Sequence, residues 1–171
     1  MRKLLILGAG GYGKTIADLA AQLHCYDRIA FLDDGKAGEN ILGKCEDYLK
    51  IADAETDVYP AFGNNEVRMA WLDRLLEAGL SVPTLVHPRA YVSPTAVLEQ
   101  GCMVLPMAVV NTGVTVEQGC IINIGALIDH DSVIGAGTHL APGAIVKAEN
   151  RIPGKVKIDS GEVIENRQYP L

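Results

Sequence analysis

Aromatic residues are scarce in this chain, at 5% of 171 positions, which excludes an interior built around large rings. No lysine or arginine run precedes the C-terminal quarter and the net charge is −6, so neither nucleic acid nor an anionic membrane is an expected partner. Long apolar runs are missing too. Met1-Arg2-Lys3 followed by Leu4 to Leu7 starts like a signal peptide, but the run stops at Gly8, and no stretch approaches the length of a membrane span. The four cysteines, Cys25, Cys45, Cys102 and Cys120, have no C-x-x-C spacing. Reduced thiols and a cytoplasmic location are therefore expected. What remains is a chain that is 49% apolar, enough for a real core, drawn mostly from Ala, Val, Ile and Leu and punctuated by 18 glycines. That balance suits thin repetitive layers.

The first half reads as α/β. Leu4 to Leu7 is a buried strand, Gly8-Ala9-Gly10-Gly11-Tyr12-Gly13 follows with G-x-G-x-x-G spacing, and Lys14 to Leu23 carries Ile16, Leu19, Ala20 and Leu23 on one helical face. Glycines let the backbone turn and approach a ligand, and a helix N-terminus offers N–H groups to phosphate. A second strand, Ile29 to Leu32, ends in Asp33-Asp34, where an acid meets a ribose hydroxyl in dinucleotide folds. Gly63-Asn64-Asn65 then opens a helix from about Glu66 to Ala78. The α/β pattern ends near residue 80, too early for the second half of a full dinucleotide fold, so a Rossmann-like domain over 1–82 that takes a mononucleotide or nucleotide sugar is the expectation.

From Val86 onward every sixth residue is Val, Ile or Leu, through Val92, Leu98, Val104, Val110, Val116, Ile122, Ile128, Ile134, Leu140, Val146, Ile152 and Ile158 to Ile164. A period of six drifts around an α-helix but points inward once per face of a triangular parallel β-helix. Two residues earlier the side chain is mostly small, as at Ala90, Cys102, Cys120 and Ala144, which suits tight corners. Residues 83–171 are therefore expected to form an all-β, left-handed parallel β-helix whose flat sides associate, and a homotrimer is the closed arrangement usual for hexapeptide-repeat proteins.

Two of the four histidines lie in this column. His130 stands between Asp129 and Asp131, two residues past the inward Ile128, and His139 follows nine residues on, half a coil away and so on another face. An imidazole held by a carboxylate is a general base near neutral pH; a surface histidine in a polar turn is the alternative. His24 and His87 have no acidic neighbours at hand and read as structural. No three histidines converge, so no metal is expected.

This combination resembles the hexapeptide-repeat sugar acetyltransferases of bacterial glycan biosynthesis, which act on sialic acid or on UDP-linked 4-amino sugars. The likeness spans roughly residues 3–145. It is carried by the glycine turn, by Phe31-Leu32-Asp33-Asp34, by Gly63-Asn64-Asn65-Glu66-Val67-Arg68, and by Ile121-Ile122-Asn123 through His130-Asp131-Ser132-Val133-Ile134-Gly135. The resemblance implies an acetyl-CoA-dependent transferase. In it Gly10, Gly11, Tyr12, Gly13, Asp33 and Asp34 hold the nucleotide, with Asn64, Asn65 and Arg68 nearby. His130 is the base, Asp131 orients it, and Asn123, His139, Gly143 and Lys147 line the acceptor and coenzyme A sites.

The sequence departs from the family at three places. Tyr12 stands where the family often has His, and Asp131 where it has Glu. Relatives run on for further coils to a Gly-Val-Pro-Ala-Lys type segment that helps bind coenzyme A, whereas this sequence stops at Tyr169-Pro170-Leu171. Lys147, Arg151, Lys155 and Lys157 near that point either meet the coenzyme's phosphates or form a solvated basic edge. Two other readings stay open: a nucleotide-sugar-binding or scaffold protein that has lost acetyl transfer, and a small NAD-dependent oxidoreductase resting on the glycine turn alone.

Overall fold

The computed structural model describes residues 2–171. The chain divides into two compact units, Met1–Pro83 and Thr84–Leu171.

The first unit is a three-stranded parallel sheet with helices. Strand β1 (Arg2–Leu7) lies in the middle, between β2 (Tyr26–Leu32) and β3 (Thr56–Pro60), in the order β2-β1-β3. Buried between two neighbours, β1 needs the continuous apolar run Leu4 to Leu7. Helix α1 (Gly11–Leu23) buries Ile16, Leu19 and Ala20, the face its periodicity predicts. It begins three residues earlier than Lys14, so Gly11 and Gly13 lie in its first turn.

Strand β3 carries no alternation that announces it. All five of its residues are buried, including Asp57, whose carboxylate is satisfied by Arg2 Nε at 2.8 Å and by the Tyr26 hydroxyl at 3.0 Å. Tertiary pairing of a charged residue made this strand, which is why the sequence pattern hid it. A short helix, α2 (Tyr48–Ile51), precedes it, and α3 (Asn65–Glu77) follows within a residue of expectation at either end.

The second unit is a parallel β-helix. Fourteen two-residue strands, β4 (Leu85–Val86) through β17 (Val163–Ile164), follow one another every six residues. They form three sheets: β4, β7, β10, β13 and β16 in the first; β5, β8, β11, β14 and β17 in the second; β6, β9, β12 and β15 in the third. Every pairing is parallel, and partners such as Ile121 and His139 are one coil apart.

The second residue of each strand points inward. From Val104 to Ile152 these side chains are fully buried, as are Cys102, Ala108, Cys120, Ala126 and Ala144 at the tight corners. Val86, Val92 and Leu98 in the first coil are only partly covered. Each coil thus buries its neighbours' aliphatic layer, about 1.5–3 kcal/mol per side chain.

Candidate active site

The expected residues lie in both units, and in the second unit they fall on two different edges of the β-helix.

In the first unit the glycine turn links β1 to α1, and its glycines have different reasons to be there. A Cβ on Gly13 would fall 1.9 Å from the Gly8 carbonyl oxygen, so only glycine lets α1 pack on the turn. Gly10 and Gly11 are under no such constraint: a Cβ on either would meet open space. Their bareness leaves the backbone exposed to a ligand rather than to the protein. Helix α1 has no side-chain cap and no acid in its first turn, so its leading N–H groups and positive dipole end face outward. Tyr12 sits half-buried there.

Beside the turn lies a cleft of about 400 Å³ lined by Ala9, Lys14, Phe31, Lys36, Asn40 and Ile41 among others. Lys36 Nζ donates to the Ala9 carbonyl at 2.7 Å. Lys14 is a cation at the positive end of its own helix, unfavourable for the helix but suited to an anion in the cleft. Neither lysine belongs to a sequence motif; the convergence of the β2 loop on the glycine turn reveals them.

Asp33 is the joint that makes this convergence. Its carboxylate accepts from the N–H groups of Ala9 at 2.7 Å, Gly35 at 3.0 Å and Lys36 at 2.8 Å. These bonds, Ala9's foremost, hold its pKa below the usual carboxylate range. Asp34 accepts from the Cys45 N–H at 3.0 Å. Both acids therefore brace the loops that wall the cleft.

Asn64, Asn65 and Arg68, expected near the nucleotide, serve the scaffold. Asn64 caps α3 by accepting from Val67 N–H at 3.0 Å, which completes an N-terminal turn. The Arg68 side chain is buried, donating to the Phe62 carbonyl at 3.0 Å and to Asn65 Oδ1 at 2.9 Å. A guanidinium enclosed in this way fixes the Phe62–Asn65 loop.

In the second unit, the corner between β11 (Leu127–Ile128) and β12 (Val133–Ile134) carries Asp129, His130, Asp131 and Ser132. His130 is 49% exposed, and its Nδ1 lies 2.8 Å from Asp131 Oδ2. Asp131 reaches the ring because its backbone is left-handed, at φ 55°. Gly113, one coil earlier, leaves the room: a Cβ there would stand 2.5 Å from the Asp131 Oδ1.

Asp129 accepts from the His130 backbone N–H at 2.8 Å and from Asn111 Nδ2 at 3.0 Å, so the corner is held on both sides. The Asp131 hydrogen bond, with the charges of Asp129, Asp131 and Glu149, raises the His130 pKa above its ordinary value. A proton on Nδ1 shared with the carboxylate leaves Nε2 as the basic nitrogen.

Asn123 and His139 meet elsewhere. Asn123 follows β10 (Ile121–Ile122), His139 opens β13 (His139–Leu140), and Asn123 Nδ2 is 3.0 Å from His139 Nε2. This pair marks the edge between the first and second sheets, whereas His130 marks the edge between the second and third. Gly143, at φ 69°, turns the same edge as Asn123 one coil later. The four basic residues do not form one cluster. Lys147 pairs with Glu165 at the corner that follows the second sheet, Arg151 extends from the third sheet towards Glu117 at 3.6 Å, Lys155 turns the corner that follows the third sheet, and Lys157 on the first sheet pairs with Asp159 at 3.0 Å.

Between the two edges, the second sheet presents Tyr91, Val109, Leu127, Ile145 and Val163 outward, one per coil. Tyr91 is 55% exposed, Leu127 37% and Val163 41%. An apolar stripe flanked by polar edges is the mark of an association surface.

A hexapeptide-repeat helix with a carboxylate-held histidine at its corner, on a chain that also carries a glycine-turn α/β unit, defines a class of group-transfer proteins. Comparison with known proteins narrows it. Residues 3–75 match the PglD N-terminal domain family. The chain is 31% identical over 112 residues to UDP-N-acetylbacillosamine N-acetyltransferase of Bacillus subtilis, a match covering 61% of this chain and 52% of that one; it thus spans about half the length of that relative. The acetyltransferase domain of PglB from Neisseria gonorrhoeae, solved with acetyl coenzyme A, is 35% identical with a TM-score of 0.94, covering 97% of this chain and 83% of the other. Perosamine N-acetyltransferase from Caulobacter crescentus, 22% identical with a TM-score of 0.86 over 97% and 90% of the two chains, shares the fold. The chain belongs to the hexapeptide-repeat sugar acetyltransferase family.

Among the described residues no helix is long and apolar enough to cross a membrane, and no group of three or more His, Cys, Asp or Glu is placed to hold a metal ion.

Proposed function

We propose that this chain transfers an acetyl group from acetyl-CoA to the amino group of a UDP-linked amino sugar, acting in the cytoplasm as a homotrimer with His130 as general base. The observation that carries the reading is the 2.8 Å contact of His130 Nδ1 with Asp131 on an exposed corner. It supplies a basic Nε2 where a substrate can reach it. The family relationship supports acetyl-CoA as donor: the Neisseria gonorrhoeae relative was solved with it. The Bacillus subtilis relative is named for a UDP-sugar N-acetyltransferase reaction, which favours nitrogen over oxygen as the acceptor.

In the proposed reaction the bare backbone of Gly10 and Gly11, with Lys14 and Lys36, takes the diphosphate of the sugar nucleotide. The acceptor nitrogen attacks the thioester carbonyl. His130 Nε2 removes a proton from that nitrogen as the C–N bond forms, and Asp131 stabilises the resulting imidazolium. Collapse of the tetrahedral oxyanion breaks the C–S bond, and the imidazolium returns the proton to the thiolate. The products are the N-acetyl sugar and free coenzyme A, with no covalent enzyme intermediate.

The trimer is part of this proposal. Within one protomer Asn123 and His139 stand on one edge of the second sheet and His130 on the other. Packing the apolar stripe against a neighbour brings opposite edges of two protomers to one cleft, which would complete a site with both histidines.

The test is a thiol-release assay with acetyl-CoA and a panel of UDP-amino sugars. Turnover is expected for at least one sugar, and His130→Ala should lower it by about 10²–10⁴-fold without changing the melting temperature appreciably. Because the base must be neutral, kcat/KM should rise with pH through a midpoint above about 6.5, and Asp131→Asn should move that midpoint down. A melting temperature raised by UDP-sugars, with no turnover and no response to acetyl-CoA, would support a binding protein instead.

A further inference from the structure

The corners of the β-helix adopt left-handed backbone at every sixth residue from Gly101 to Arg167, and seven of these twelve positions are glycine. The five exceptions are unevenly placed. The corner after the first sheet has one, Met107, and the corner after the third sheet has one, Lys155. The corner after the second sheet, where His130 stands, has Gly113 and then three charged residues in successive coils: Asp131, Glu149 and Arg167, at φ 55°, 58° and 55°. Side chains are retained there against a backbone conformation that favours glycine, at the one corner that carries the histidine.

These three residues form a ladder. Asp131 holds the imidazole, the Glu149 N–H donates to the His130 carbonyl at 3.1 Å, and Arg167 Nε donates to Glu149 Oε2. The parallel line two residues earlier reads Asn111, Asp129, Lys147 and Glu165, with Lys147 paired to Glu165. The charged groups around His130 are therefore Asp129 and Asp131 on its own corner and Glu149 on the next coil. Lys147 on that coil is engaged by Glu165, and Asn111 and Thr112 on the preceding coil are neutral.

We propose that Glu149, clamped by Arg167, is a positioning residue for the His130–Asp131 pair: its carboxylate, one coil on from Asp131, keeps that side chain turned to the imidazole and a negative charge beside the ring, while Arg167 sets how much of that charge the ring feels. The assignment rests on the reading of His130 as base, but its primary readout does not. The mutual influence of Glu149 and His130 supports it: each favours the charged form of the other.

The test is an NMR pH titration of the His130 ring in the full-length protein, its resonance identified among the four histidines by its loss in His130→Asn. Glu149→Gln and Glu149→Gly should each lower the midpoint by about 0.3–0.6 pH unit, and Arg167→Gln should raise it by about 0.2–0.4, as expected for charges near a solvated ring. All shifts should shrink in about 1 M salt. Glu149→Gly suits the left-handed corner, so a folded variant is available even if the glutamine variant is unstable. The pH profile of kcat/KM should move in the same directions. Midpoints unchanged within about 0.1 unit, or Glu149→Gln and Arg167→Gln shifting the same way, would overturn the proposal. Shifts of the expected sign alongside full transfer by His130→Ala would confirm the electrostatic assignment and overturn the catalytic reading on which the positioning role depends.

Discussion

Asp131 shows how a single backbone angle decides a site. A shorter acid than the family's glutamate reaches Nδ1 of the preceding histidine because its own φ is positive and because Gly113 offers no Cβ in its path. Gly113→Ala should therefore act twice. The left-handed backbone costs the new side chain about 1–2 kcal/mol, read as a lower melting temperature. The displaced Asp131 carboxylate should lower the His130 titration midpoint and the transfer rate together. A variant that loses stability but keeps the wild-type pH profile would show that Asp131 does not depend on that space. Residue type and spacing singled out His130 between its two acids, whereas Asn123 came forward only through the family resemblance. Lys14, Lys36 and Glu149 were not legible in either way, because each acquires its place only when distant turns or successive coils stack. Arg68 and Asn64 show the converse, in that polar residues in a motif can belong to the scaffold.

At the scale of elements, the six-residue period foretold every strand of the β-helix, since inward aliphatics repeat without a break. The same pattern could not foretell β3, whose buried Asp57 is stabilised by Arg2 and Tyr26 from β1 and β2, nor the role of Asn150. Asn150 occupies a corner that mostly small residues fill elsewhere, and it is fully buried. Its amide donates to the carbonyls of Lys147 at 2.8 Å and Glu165 at 2.9 Å and accepts from the Tyr169 N–H at 2.8 Å. It stitches residues 165–169 to the coil before them. Asn150→Ala removes these part-buried hydrogen bonds from the last coil, and a loss of about 1–3 kcal/mol is expected. Hydrogen exchange should localise the opening to the coils beyond Ile152. Uniform exchange across the column would contradict a local stitch.

For the whole molecule, the proposed chemistry requires association. The second sheet exposes an apolar side chain on every coil, and the Asn123–His139 pair and His130 flank it on opposite edges. Leu127→Glu places a charge in the middle of that stripe, and sedimentation should find monomers for this variant and the proposed trimer for the wild type, with transfer activity lost and the β-sheet circular dichroism kept. An active monomer would separate the stripe from function. The flat sides of a triangular column led to the expectation of association, and a trimer is the arrangement usual for hexapeptide-repeat proteins; the side proposed to associate could be picked out only once the outward residues of each sheet were sorted.

Mixing two inactive variants tests the shared site most directly. When His130→Ala and His139→Ala protomers are unfolded together and refolded, random trimers should contain intact clefts built from an unaltered His130 of one protomer and an unaltered His139 of its neighbour. Acetyl transfer should return to about a quarter of the wild-type rate. Mixed trimers that form yet remain as inactive as either parent would contradict a site divided between subunits.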